Sequence, residues 1–171
     1  MKTSHINRLI IALIASAFLA SGCRIYSFSG TSIQNDVKTI YIEPVVNKAT
    51  KINPSLAASL TEALNDKYRK LTRLEQVEDD GDLNLYVTIS SYDVRAAAIT
   101  SNDQAALNRL TITVKAKFLN IKHPEDDIET SFAAYEDFDA SQNIDSVEEG
   151  LCETIIEKLV DDIFNATVAQ W

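Results

Sequence analysis

Leu83-Asn84-Leu85-Tyr86-Val87-Thr88-Ile89-Ser90 decides the fold. Apolar residues take every second place and polar ones stand between them, which is the period of a strand with one buried face. Leu83, Leu85, Val87 and Ile89 therefore point to a core, and Asn84, Tyr86, Thr88 and Ser90 point away from it. At Ser90-Ser91 the phase slips, and Tyr92 and Val94 continue out of step, as at a bulge or a strand end. Downstream, Leu110, Ile112, Val114, Ala116 and Phe118 alternate with Thr111, Thr113, Lys115 and Lys117 to give a second such strand. Residues 95–108 between them lack a clear period and read as a connection. Lys122-His123-Pro124-Glu125-Asp126 turns the chain, and Ile128 to Tyr135 returns it as a further strand.

Upstream lies a short strand from Leu74 to Val77. Asp80-Gly81 supplies hairpin chemistry between it and the strand at Leu83, because glycine tolerates positive φ. Before that, Asn53 and Pro54 open a helix in which Leu56, Leu60, Ala63, Leu64, Tyr68 and Leu71 share one face. Val37 to Val46 forms the first strand, and Pro44 marks its end or a sheet edge. At the other end, Ser146 and Glu149 have the spacing of a capping box. Val147, Leu151, Ile155, Leu159 and Ile163 then form a helical ladder widened by Cys152, Ile156, Val160 and Phe164. The opposite face carries Glu148, Glu149, Glu153, Glu157, Asp161 and Asp162 around a single Lys158. That sign is wrong for a helix lying on a membrane surface, so the helix packs on the sheet.

The expected order is β-α-β-β-β-β-α or close to it. The expected fold is α+β: two helices on one face of a mostly antiparallel, four- to five-stranded sheet. Tyr86, Thr88, Thr111, Thr113, Lys115 and Lys117 are left on the other face, too polar for a second core layer.

The first residues carry a different message. Lys2, His5 and Arg8 precede the apolar run from Leu9 to Ala15, continued through Ser16, Ala17 and Phe18. Leu19-Ala20-Ser21-Gly22-Cys23 follows. A charged start, a short apolar stretch and small residues before a cut describe a signal peptide over residues 1–22, too short for a permanent span. The cysteine after the small residues resembles a lipobox, which implies lipid attachment, with diacylglycerol and a further acyl chain such as palmitate, at Cys23. Two or three chains suffice for stable anchoring. Residues 23–36 then read as a lipidated tether, and 37–171 as a single globular domain.

Removal of the leader takes Lys2 and Arg8 from the 16 basic residues and leaves 14 against 25 acidic ones, a formal charge of −11. This balance argues against nucleic acid as a partner and against electrostatic binding to an anionic membrane. With Cys23 acylated, Cys152 is the one remaining thiol and no intrachain disulfide can form.

Catalytic patterns are sparse. His123 beside Pro124 reads as an exposed turn residue. No His/Cys set has zinc spacing, and there is no phosphate loop or nucleophile elbow. Glu78-Asp79-Asp80-Gly81-Asp82 lacks the length and the terminal glutamate of a calcium loop. Glu136, Asp137 and Asp139 read as a solvated loop before the last helix. Asn165-Ala166-Thr167 fits a glycosylation sequon by chance. Neither an enzyme nor a cofactor or metal is expected.

Cys23-Arg24-Ile25-Tyr26-Ser27-Phe28-Ser29-Gly30-Thr31-Ser32, Asp36-Val37-Lys38-Thr39-Ile40, Asn53-Pro54, Ala106 to Val114, and Phe138-Asp139 form a further set of stretches. Together they resemble the LPS-assembly lipoprotein family, LptE, in its Bacteroidetes form. The resemblance implies a lipid-anchored protein on the periplasmic face of the outer membrane. There it would plug a large β-barrel, LptD, during lipopolysaccharide assembly and touch lipopolysaccharide itself. That ligand is anionic, so a contact needs basic ground, and Arg95, Arg109, Lys115 and Lys117 are the candidates. The strand–helix–strand unit from Val37 to Val77 also resembles the start of lipoprotein regulators of peptidoglycan synthases. Those carry a long linker after the cysteine, whereas only about a dozen residues stand there in this chain.

Overall fold

The computed structural model describes residues 33–50, 53–99 and 105–169. The signal peptide, Cys23 and most of the tether lie outside these residues.

The first strand, β1 (Thr39–Ile42), ends two residues before Pro44. A two-residue β2 (Val46–Asn47) resumes its direction beyond it. Helix α1 (Leu56–Leu71) follows, then β3 (Glu75–Val77), β4 (Leu83–Ile99), β5 (Ala105–Asn120), β6 (Ile128–Asp139) and α2 (Ile144–Thr167). The sheet runs β3-β1-β4-β5-β6, with β2 beside β4. The long β4–β5 and β5–β6 pairs are antiparallel, whereas β1 is parallel to both β3 and β4. Most of the ladder is therefore antiparallel, with a parallel corner at one edge.

That corner overturns the expected hairpin at Asp80-Gly81. β3 and β4 do not pair, because β1 lies between them. Gly81 is needed for closeness: a Cβ there would meet Tyr41 N and Leu83 O at 2.8 Å. Asn84, though buried, is satisfied in the same bend, where its amide bonds both the N–H and the carbonyl of Gly81. Nor does Pro44 mark a sheet edge for β1, which is flanked on both sides.

Residues 95–108 are not a plain connection. β4 runs through to Ile99 and β5 begins at Ala105, with Arg95 opposite Arg109 and Ala96 opposite Asn108. The phase slip is a true bulge. Ile89 faces Val114 and Ser91 faces Thr113, so Ser90 is the extra residue, and its hydroxyl donates to the Thr113 carbonyl. The bulge returns Tyr92 to the core and turns Asp93 and Arg95 outward. β6 likewise extends to Asp139, which places Glu136, Asp137 and Asp139 in a strand, not in the expected loop.

The helices share one face, α1 over β1 and β2, α2 over β5 and β6, and they touch each other. Leu85, Ile89, Leu110, Ile112 and Val114 meet Leu60, Leu64, Ile155, Leu159 and Ile163 in a continuous core. Each such side chain contributes about 1.5–3 kcal/mol by leaving water, before ordering entropy is subtracted. Leu71, expected on the buried face of α1, is 49% exposed and is the last residue of the helix. Asn53 caps α1 in practice: its Oδ1 accepts from the N–H groups of Ser55 and Leu56. For α2 the expected capping box does not form. Asn143 accepts from Asp145 N, one turn earlier than the Ser146–Glu149 pattern suggested, and the Ser146 hydroxyl donates back to the Asn143 carbonyl.

Candidate functional site on the open sheet face

One face of the sheet carries the helices and the other is bare. Cross-strand pairing fixes what stands on the bare face. From β5 come Arg109, Thr111, Thr113, Lys115 and Lys117, and beside them on β4 stand Arg95, Asp93, Thr88 and Tyr86. From β6 come Asp137, Tyr135, Ala133, Ser131 and Glu129. All four basic residues expected to meet an anion thus lie on one surface, three of them strung along roughly 27 Å of β5 at about 3.4 Å per residue, and Arg95 beside Arg109 on β4.

Their surroundings divide them into two pairs. Arg95 is bonded to Asp93 on its own strand, Nε to Oδ2 at 2.5 Å. Arg109 makes a bidentate pair with Asp137, Nε–Oδ1 2.7 Å and Nη2–Oδ2 2.9 Å, and its guanidinium lies 3.8 Å from the Tyr135 ring centre. That pair holds the Asp137 carboxyl below its ordinary range and keeps the guanidinium charged. Lys115 and Lys117 are exposed, facing Ser131 and Glu129 on one side and Thr88 and Tyr86 on the other. Among the described residues neither lysine closes an ion pair. The positive charge open to a ligand is therefore concentrated at Lys115 and Lys117, next to Tyr86, which packs edge-on against Tyr41 at 6.3 Å. Sequence reading found the four cations but missed Asp93 and Asp137, since only the strand register brings Asp137 to Arg109.

The helix side behaves oppositely. α1 and α2 touch at their C-terminal ends, where Tyr68 packs against Phe164 at 5.2 Å and Lys67 meets Asp161 at 2.7 Å. Towards their N-termini they part around a cleft of about 1010 Å³ lined by Glu62, Asp145, Glu148, Glu149, Glu153 and Glu157. Among the described residues no basic side chain lines it. An anionic ligand is repelled from this cleft, whereas the bare sheet face offers it Lys115 and Lys117. Cys152 lies buried on the cleft side of α2 next to Tyr92, whose hydroxyl donates to the Glu148 carboxylate. Burial pushes the Tyr92 phenol upward, so it remains a donor.

His123 is not the exposed turn residue expected. It is half-buried, and Nε2 lies 3.0 Å from Asp36 Oδ2, with Glu125 on its other nitrogen. The neighbouring Lys122 ammonium bonds the Asp36 carbonyl and pairs with Asp82 at 2.9 Å. Gln34 reaches Asp126, and Asp82 accepts from the N–H groups of Lys38 and Thr39. The segment expected to be loose tether is thus fastened at Gln34–Asp36 to the turn between β5 and β6.

Among the described residues no helix is long and apolar enough to cross a membrane, and no group of three or more His, Cys, Asp or Glu is arranged to hold a metal ion. No curated protein matches the chain significantly. Of solved structures, a hypothetical protein, CT253, from Chlamydia trachomatis is similar over 78% of this chain and 99% of its own, at 10% identity and a TM-score of 0.53. The rare lipoprotein B from Shewanella oneidensis is similar over 74% of this chain and 89% of its own, at 9% identity and a TM-score of 0.50. At such identity these likenesses speak for the fold. The family model described as LptE, lipopolysaccharide-assembly, matches residues 37–167, from just before β1 to the last turn of α2. With that match spanning the whole α+β domain, the chain belongs to the LptE lipopolysaccharide-assembly family.

Proposed function

We propose that this chain is an outer-membrane lipoprotein, anchored through lipid on Cys23 and facing the periplasm, that plugs and supports an LptD-type β-barrel during lipopolysaccharide assembly. The match to the family over residues 37–167 carries the reading. The bare sheet face supports it, because the lumen of an outer-membrane barrel is polar and a plug must offer polar surface to it. Its role is one of fit and support, not of catalysis.

Within that role Lys115 and Lys117 are the residues that meet lipopolysaccharide phosphates. Arg95 and Arg109 border the same surface, but each must first leave its carboxylate. Charge-assisted bonds from an ammonium to a phosphate are the strong kind.

The test is affinity purification of the chain from detergent-solubilised outer membrane, with Cys23→Ala alongside. The reading expects a large barrel to co-purify with the parent chain, and expects Cys23→Ala to be lost from the membrane fraction. Recovery of a peptidoglycan synthase in place of a barrel would overturn it.

A further inference from the structure

β4 is 17 residues long, yet only its first part is bordered on the side away from β5. β1 takes Leu83–Leu85, β2 takes Thr88 and Ile89, and Lys48 N closes the last bond to the Ile89 carbonyl at 2.9 Å. Beyond Ile89 no strand lies along this edge among the described residues. Such an edge is a template for another strand.

The other long edge is handled differently. β6 carries Glu129, Glu136, Asp137 and Asp139 and no basic residue, and Lys158 of α2 bonds both the Tyr135 carbonyl and the Glu136 carboxylate. Two β6 strands brought side by side would set carboxylates near carboxylates. The distal β4 edge instead reads Asp93-Val94-Arg95, an acid and a base flanking one small apolar residue. Both charges are on the bare face, Asp93 41% and Arg95 81% exposed, and they satisfy one another within a single strand.

We propose that two copies of this chain pair edge to edge along the distal part of β4, antiparallel about Val94. In that register Asp93 of each copy stands directly opposite Arg95 of the other, and Val94 faces its own counterpart. The pairing exchanges the two i,i+2 ion pairs of the separate chains for two cross-strand ones, and directly opposed residues of opposite charge favour a sheet. Two-fold symmetry makes the contact close on itself. The window is bounded on both sides by β2, which stops further growth, and both sheets keep their helix-covered faces on the same side. So short an interface falls well below the ordinary size of about 1,200–2,000 Å², so the dimer forms only at high concentration. A barrel lumen would admit one copy, so the pairing belongs to the chain outside its barrel and does not depend on the plug reading.

Sedimentation equilibrium of the mature chain in detergent, over a wide concentration range, tests the proposal. The parent chain is expected to pass from monomer to dimer. Asp93→Arg alone, or Arg95→Asp alone, sets like charges opposite across the axis and should weaken the dimer at least tenfold. An equimolar mixture of the two variants restores opposite charges at both places and should associate again, as should the double variant carrying both changes. That rescue separates lost pairing from lost folding. A parent chain that stays monomeric throughout, or single variants that dimerise like the parent, would overturn the proposal. So would a barrel that co-purifies with the parent but not with the single variants while the free chain remains a monomer, since the edge would then serve the barrel.

Discussion

Tyr68 and Thr167, 99 positions apart, share a 2.5 Å contact between their hydroxyls at the place where the two helices meet. Thr167 gives its own proton to the Ile163 carbonyl at 2.8 Å, so the phenol is the donor in this pair. Tyr68 is fully buried, and burial pushes its phenol upward, so it keeps its proton across the physiological range.

Two substitutions separate its ring from its hydroxyl. Tyr68→Ala opens a cavity against Phe164 and should cost about 3–5 kcal/mol. Tyr68→Phe removes one hydrogen bond and should cost only about 0.5–1.5 kcal/mol. Denaturant unfolding of both variants, compared with the parent, measures the two effects.

Gly81→Ala is expected to destabilise through contact with fixed backbone, since its methyl would meet Tyr41 N and Leu83 O. Overpacking of this sort costs about 1–3 kcal/mol. Gly150 has open space around its Cβ position and lies within α2, so Gly150→Ala should leave stability unchanged or raise it by about 0.5–1 kcal/mol. The same unfolding experiment reads both.

Lys115 and Lys117 should matter more for lipopolysaccharide contact than Arg109. A photocrosslinker placed at Thr113, on the same face, offers a readout. Lys115→Glu with Lys117→Glu should reduce crosslinking to lipopolysaccharide by about tenfold or more, as expected when charge-assisted contacts are reversed. Arg109→Gln should change it by less than about threefold, because this guanidinium is already held by Asp137. Equal losses in both variants would show that the Arg109–Asp137 pair opens for the ligand.

The Asp36–His123 clasp is pH-dependent, and its sign follows from the two shifts. Hydrogen bonding to Asp36 raises the imidazole above its ordinary 6.5, so its contribution is complete below that value and fades as pH rises through the folded-state value. Asp36 is lowered below 3.8 by the same partner, so its contribution is present above 3.8 and fades as pH falls through the lower folded-state value. The clasp is therefore firmest between the two ordinary values. The chain has one other histidine, His5, so the ring protons of His123 can be followed by NMR. Asp36→Asn should move its midpoint downward, and an unmoved midpoint would remove Asp36 as the cause.

Much of this molecule can be read from its residues in order. Alternation of Leu83 to Ile89 and of Leu110 to Phe118 placed two strands and their buried faces, because a strand's side-chain period needs no information from afar. The slip at Ser90-Ser91 marked the place of a bulge or a strand end for the same reason, and the register made it a bulge. The ladder from Val147 to Phe164 marked α2, and the surplus of carboxylates turned attention to four cations.

Where the reading of the sheet fell short, the missing fact was mostly a distant partner. Asp80-Gly81 has hairpin chemistry, but whether β3 pairs with β4 depends on β1, some 40 residues earlier, entering between them. Residues 95–99 are strand because a second strand lies alongside, not because of any period of their own. Arg109 is held and Lys115 is open only because register sets Asp137 against one and Ser131 against the other. Local sequence determined the elements and the face each one buries, since propensity and period act over a few bonds. Tertiary structure decided the strand order and which charges remain open, since both depend on pairings between residues far apart along the chain.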